Sequence, residues 1–304
     1  MTIQNKSDMQ KKNLKKKLVE KILKYVRMDL EEFLNVLTEK LIKYYYWKID
    51  RGFIFEVHLT DHCNLSCVSC SHFSSISEEH FLNVNDYKND CKQFSKLVKK
   101  YVKRIHLMGG EPLLHKNIIE IIEITRNNFE NCTITIPTNG ILLDKMGAEF
   151  WNACKQNNVN IGLTLYPINL NIKKIFDLAL QYGVAIGYFG RGYKMKFRKD
   201  VLDERGEQNK KYSYRKCKAL CPQLYEGKFY MCQKPAYIKY INKYFSKEFV
   251  VSPEDYIDIY QTNSIKTIWK YLRKPIPFCR YCNKDATDND ITWGASKKEI
   301  SEWV

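Results

Sequence analysis

The chain reads as an α/β protein built on a parallel sheet, open or closed into a barrel. Two observations predict this. Between residues 51 and 190, short apolar runs alternate with segments of helical period. A cysteine-rich loop and a glycine-rich loop follow the first two of those runs. In order, Phe53–Leu59 is a strand, and a helical pattern then runs through Cys91, Phe94, Leu97, Val98 and Tyr101. Arg104–Met108 is a second strand followed by a helix over Ile118–Thr125, and Thr133–Ile136 is a third followed by a helix around Lys145–Lys155. Val159–Leu165 and Ile172–Tyr182 make a fourth pair, and Val184–Phe189 is a fifth strand. In such repeats function sits on the loops at the C-terminal ends of the strands. The loop Asp61–Cys70 occupies that place after the first strand, and Gly109-Gly110-Glu111-Pro112 occupies it after the second. Both therefore converge on one face.

Residues 1–50 form a lysine-rich helical extension in which Leu14, Leu18, Ile22 and Val26 recur at helical steps, continued by Leu30, Phe33, Leu34, Leu37 and Leu41. Such a helix packs on the outside of a domain or lies on an anionic membrane or partner, and the first reading is preferred. Beyond residue 190 the alternation stops. Lys194–Tyr214 is a connector or a loose sixth unit, residues 211–290 carry a cysteine-rich module, and 291–304 is a polar tail holding Trp293 and Trp303. The hydrophobic share of 44% supports a proper core in the 304 residues. No stretch approaches the roughly 18 apolar residues of a membrane span, and no secretory leader is seen, so a cytoplasmic location is expected. The net charge of +16 raises nucleic acid as a partner, but no base-reading module accompanies it.

Eleven cysteines in a reducing compartment point to metal rather than to disulfides. Cys91, Cys132 and Cys154 fall in helix or strand patterns and read as buried thiols. Cys63, Cys67 and Cys70 stand together in one loop. A four-iron cluster needs one ligand per iron, so three thiolates leave one iron open to a cofactor or substrate. The alternative is a zinc loop completed by His62 or His72, although zinc sites more often use separated CxxC pairs.

The pairing of CxxxCxxC after the first strand with GGEP after the second resembles the radical S-adenosylmethionine superfamily over residues 51–190. The resemblance implies a partial (β/α)6 barrel over residues 51–210. It implies a [4Fe–4S] cluster on Cys63, Cys67 and Cys70, with S-adenosylmethionine chelating the open iron. It implies that Gly109, Gly110 and Glu111 bind the methionyl amine, and that Thr164 lies near the ribose. The turn Thr138-Asn139-Gly140 matches too, or is a simple turn. One departure is Ser69, where relatives carry an aromatic residue that meets the adenine.

Beyond residue 216, Cys217, nine residues, Gly227, four residues and Cys232, then Cys279 and Cys282, resemble the auxiliary-cluster module called Twitch, a relative of SPASM. Gly227 turns a hairpin of Gln223–Glu226 and Lys228–Met231, and Cys221 competes with Cys217 for the first place. This group would hold a second [4Fe–4S] cluster, with zinc as the alternative, because both accept four thiolates. The resemblance implies reductive cleavage of S-adenosylmethionine to a 5′-deoxyadenosyl radical that takes hydrogen from a sugar or other polar metabolite, in oxidation or epimerisation. It also implies an electron donor such as flavodoxin or ferredoxin. The alternatives are peptide modification and a non-catalytic iron–sulfur protein.

Overall fold

The computed structural model describes residues 52–189, 196–217 and 221–304. The basic extension at residues 1–50 lies outside the described residues. Phe53–Val304 form one compact unit.

Four βα units and a fifth strand open the unit. Strands β1 (Phe53–Thr60), β2 (Val102–Gly109), β3 (Thr133–Thr138), β4 (Val159–Leu163) and β5 (Ile186–Tyr188) pair in parallel in chain order. The helices between them are Val84–Val98, Ile118–Asn128, Ala148–Gln156 and Ile172–Tyr182. Each begins or ends within a few residues of the sequence expectation, and the last coincides with it.

Alternation along β1 divides the molecule. Phe53, Phe55, Val57 and Leu59 are apolar and buried, whereas Glu56, His58 and Thr60 are polar and also buried. Because successive side chains leave opposite faces of a strand, the first set meets the helices and the second lines the interior. The helices answer with Tyr87, Phe94 and Val98, then Ile121 and Ile122, then Phe150 and Trp151, all buried at helical spacing. Phe55 packs against Phe94 and Phe129 with ring centroids 5.7 and 5.6 Å apart. Cys91, Cys132 and Cys154 are buried in this apolar layer, as expected. Burial pushes the Cys154 thiol up to about 12, the behaviour of an inert core thiol.

The fold is the expected α/β one with an open sheet, but its sixth parallel strand is not the next in chain order. Strand β6 (Lys196–Leu202) leaves the sheet and pairs antiparallel with β10 (Cys282–Thr292). The sixth parallel strand is β7 (Gln223–Tyr225), on the other side of β1. It turns through Glu226 and Gly227, both left-handed, into β8 (Lys228–Tyr230), which pairs with β9 (Tyr256–Asp258). The hairpin expected around Gly227 is thus present, and it extends the main sheet. Among the described residues, no helix is long and apolar enough to cross a membrane.

Candidate active site

The loop after β1 and the loop after β2 are stitched backbone to backbone. The Gly110 amide donates to the Thr60 carbonyl at 2.8 Å, and the Glu111 amide donates to the His62 carbonyl at 3.1 Å. The Thr60 hydroxyl donates to the Glu111 carbonyl at 2.9 Å. A Cβ on Gly110 would lie 2.0 Å from the His62 oxygen, and one on Gly109, whose φ is +146°, would lie 2.1 Å from the Thr60 oxygen. Both glycines are required by the approach of the cysteine loop itself, before any ligand is considered.

The buried Glu111 carboxylate accepts from the Thr138 hydroxyl at 2.7 Å, the Asn139 amide at 3.0 Å and the Leu113 amide at 3.2 Å. Burial lifts it to about 7 against the pull of those donors. Thr138-Asn139-Gly140 is therefore more than a turn, because it fixes this carboxylate. The Asn139 side-chain amide also donates to the Asn64 side-chain oxygen Oδ1 at 2.7 Å and reaches the Cys63 sulfur at 3.7 Å.

Cys63, Cys67, Cys70, Gly109, Gly110, Glu111 and Thr164 all line one cavity of about 280 Å³, near the lower end for small-molecule sites, roughly 300 Å³. Burial pushes the Cys63 thiol up to about 12 and the Cys67 thiol to about 11. Ionisation here thus calls for a cation. Among the described residues, no three His, Cys, Asp or Glu side chains converge as a single-ion site. A four-iron core does not ask for that, since each thiolate meets a different iron. Three soft donors facing a cavity with room beyond them fit such a core with one corner open to a ligand. Of the two histidines, His62 Nδ1 accepts from the His80 amide at 3.3 Å, and His72, which also lines the cavity, has its Nδ1 2.8 Å from His58 Nε2.

The polar tail closes on this loop, which the sequence did not reveal. The Trp293 indole donates to the Cys67 sulfur at 3.3 Å, and the Trp303 indole donates to the Cys70 carbonyl at 2.9 Å. The buried Glu302 carboxylate accepts from the Ser69 amide at 3.0 Å, the Lys297 amide at 2.7 Å and the Ser296 hydroxyl. Ser69, where an aromatic was expected, sits at φ +52° with its amide committed to that carboxylate. Aromatic rings face the cavity from elsewhere: Tyr166, Phe189 and Phe197 line it, and Tyr166 stacks on Phe197 at 5.9 Å.

The second cysteine group is drawn together by four separate elements. Cys217 ends the helix Lys210–Lys216, Cys232 caps Gln233–Tyr237, Cys279 lies in the turn Pro277–Tyr281 and Cys282 opens β10. These four line one site together with Lys234 and Lys284. Cys221 does not line it, though it lies close enough to feel the charges of Cys217 and Lys234. Four thiols over two buried ammonium groups fit an anionic four-thiolate centre.

Asp61 joins the two regions. It is buried and lies within reach of His58 and His80 at 3.1 and 3.0 Å, and it accepts from the Tyr225 and Tyr240 hydroxyls. Burial would raise its pKa, but the hydrogen bonds from His58 and His80 outweigh it and hold the carboxyl well below its usual range.

Residues 57–176 match the family described as Radical SAM superfamily. A GTP 3′,8-cyclase of Desulforamulus reducens is 32% identical over 116 residues, covering 35% of this chain and 33% of that protein. A GTP 3′,8-cyclase of Rhizobium meliloti is 33% identical over 119 residues, covering 36% of this chain and 32% of that protein. The chain thus spans about a third of the length of these curated relatives. The crystal structure of BtrN in complex with AdoMet and 2-DOIA is similar with a TM-score of 0.49 and 19% identity, covering 76% of this chain and 93% of that one.

Proposed function

We propose that this radical SAM enzyme, its domain spanning residues 57–176, takes a hydrogen atom from a small polar metabolite, such as a sugar, held over the Cys63–Cys70 loop. Cys63, Cys67 and Cys70 would hold a [4Fe–4S] cluster, and Gly109, Gly110, Glu111 and Thr164 would border its S-adenosylmethionine. Bound there, these groups supply a 5′-deoxyadenosyl radical on one-electron reduction.

The chain's own residues do the rest. Glu111, held by three donors, keeps acceptor capacity for an ammonium, because a carboxylate offers about four lone-pair sites. Trp293 and Trp303 hold the cysteine loop in place, one at the Cys67 sulfur and the other at the Cys70 carbonyl. The observation that carries the substrate class is the polar wall of the cavity. Ser71, Ser74 and Arg198 line it together with the cysteine loop residues Cys63 and Cys67. Convergent polar groups of this kind fix the orientation of a polar ligand in a small-molecule site. The GTP 3′,8-cyclase relatives, by their name, act on a nucleotide, and a polyhydroxylated ligand is common to both readings.

The test is deuterium transfer. Reconstituted enzyme is supplied with dithionite, S-adenosylmethionine and panels of deuterated sugars, nucleotides and short peptides. Deuterium in the recovered 5′-deoxyadenosine from a sugar or nucleotide supports the reading, together with a raised KM in Ser71→Ala. Deuterium from a peptide alone overturns it.

A further inference from the structure

The site of Cys217, Cys232, Cys279 and Cys282 carries an imbalance of buried charge. Lys234 Nζ lies 3.1 Å from one Asp200 oxygen, and Lys284 Nζ lies 3.2 Å from the other. The Arg198 guanidinium holds the same carboxylate through Nε at 3.1 Å and Nη2 at 2.9 Å. Among the described residues, three cations share this one carboxylate. The two lysine side chains are only 5% and 4% exposed, so solvent does little to screen them. A buried ammonium without its own counter-charge is costly. Both lysines face the four cysteines, and those sulfurs supply the missing negative charge once ionised.

We propose that Lys234 and Lys284 are the counter-ions of this second centre and raise its reduction potential, while Asp200 offsets them. The inference rests on the reading of the second centre as iron–sulfur. Four thiolates around a four-iron core leave a net negative charge, and one added electron makes it more negative with no change of ligand. Fixed positive charge beside the sulfurs therefore stabilises the reduced form more than the oxidised one. Asp200 extends the effect across the molecule, because its third partner, Arg198, lines the cavity of the first site. A substrate anion that drew Arg198 away would alter the charge felt by the second centre.

The test is an EPR-monitored redox titration, with dithionite as reductant, of the full-length reconstituted enzyme and of Lys284→Gln, Lys234→Gln and Asp200→Asn. The lysine variants are expected to lower the potential of the second centre, and Asp200→Asn to raise it. The first cluster should move less in every case. Opposed signs are the signature of charge, since a merely structural disturbance would not reverse with the sign of the group removed. If a lysine variant fails to load, Asp200→Asn still decides by its direction. Unchanged potentials, or shifts of one sign throughout, overturn the proposal. So does a second site filled by zinc, an outcome that leaves the first site's reading intact wherever 5′-deoxyadenosine still forms.

Discussion

The indole nitrogen of Trp293 lies 3.3 Å from the sulfur of Cys67, 226 residues earlier in the chain. A hydrogen bond to a ligating sulfur withdraws electron density and raises the potential of the cluster it holds. Trp293→Phe keeps the ring and removes the donor. The variant should load the same iron as wild type but titrate at a lower potential at the first site, as read by EPR.

Glu302 gathers the Ser69 amide, the Lys297 amide and the Ser296 hydroxyl onto one buried carboxylate. Removing it strands those donors. Hydrogen bonds to charged groups are worth about 1.5–3 kcal/mol each, and they are not additive. Glu302→Ala should cost about 2–3 kcal/mol in urea unfolding of the apoprotein, and Glu302→Gln less. An equal loss in both variants would mean that the charge is irrelevant.

Gly110 has no room for a methyl group, since the His62 carbonyl oxygen stands 2.0 Å from where its Cβ would be. Gly110→Ala must push the two loops apart. Iron counted after anaerobic reconstitution should fall from about eight to about four per chain, with the second centre retained.

His115 supplies a pH dependence. Its Nε2–H donates to the Leu82 carbonyl at 2.9 Å, and its Nδ1 accepts from the Asn117 amide at 3.1 Å, so the folded protein needs the neutral ring. Burial lowers its pKa below 6.5, against the pull of the Leu82 carbonyl. A depressed folded-state value means that its contribution is complete above 6.5 and is lost as pH falls below that. The gap in thermal midpoint between wild type and His115→Leu should narrow from pH 8 to pH 5. A constant gap would remove His115 as the source.

The four βα units and the fifth strand were legible because their helices and strands carry clean apolar periods, as Ile172–Tyr182 does. The cysteine loop and Gly109-Gly110-Glu111 were legible because their residue types are few and their spacing is tight. What stayed hidden depends on long-range pairing. Arg198 and Asp200 on β6 look like solvated charge in a polar stretch, and only the ribbon with β10 buries Asp200 beside Lys284. The tail gave one unused signal: Trp293 and Trp303 in a polar segment are large rings that need something to cover. Glu111 shows the converse. Its type and place were foreseen, but its three protein partners come from the turn after β2 and from the end of β3 with the turn behind it, and are visible only in three dimensions.

Three thiolates would leave one iron free for S-adenosylmethionine, and 5′-deoxyadenosine formed from it by the reconstituted chain with dithionite tests this. Wild type should form it and Cys63→Ala, Cys67→Ala and Cys70→Ala should not, while Cys221→Ala still forms it. A wild-type chain that binds about eight irons yet forms no 5′-deoxyadenosine would contradict the open site.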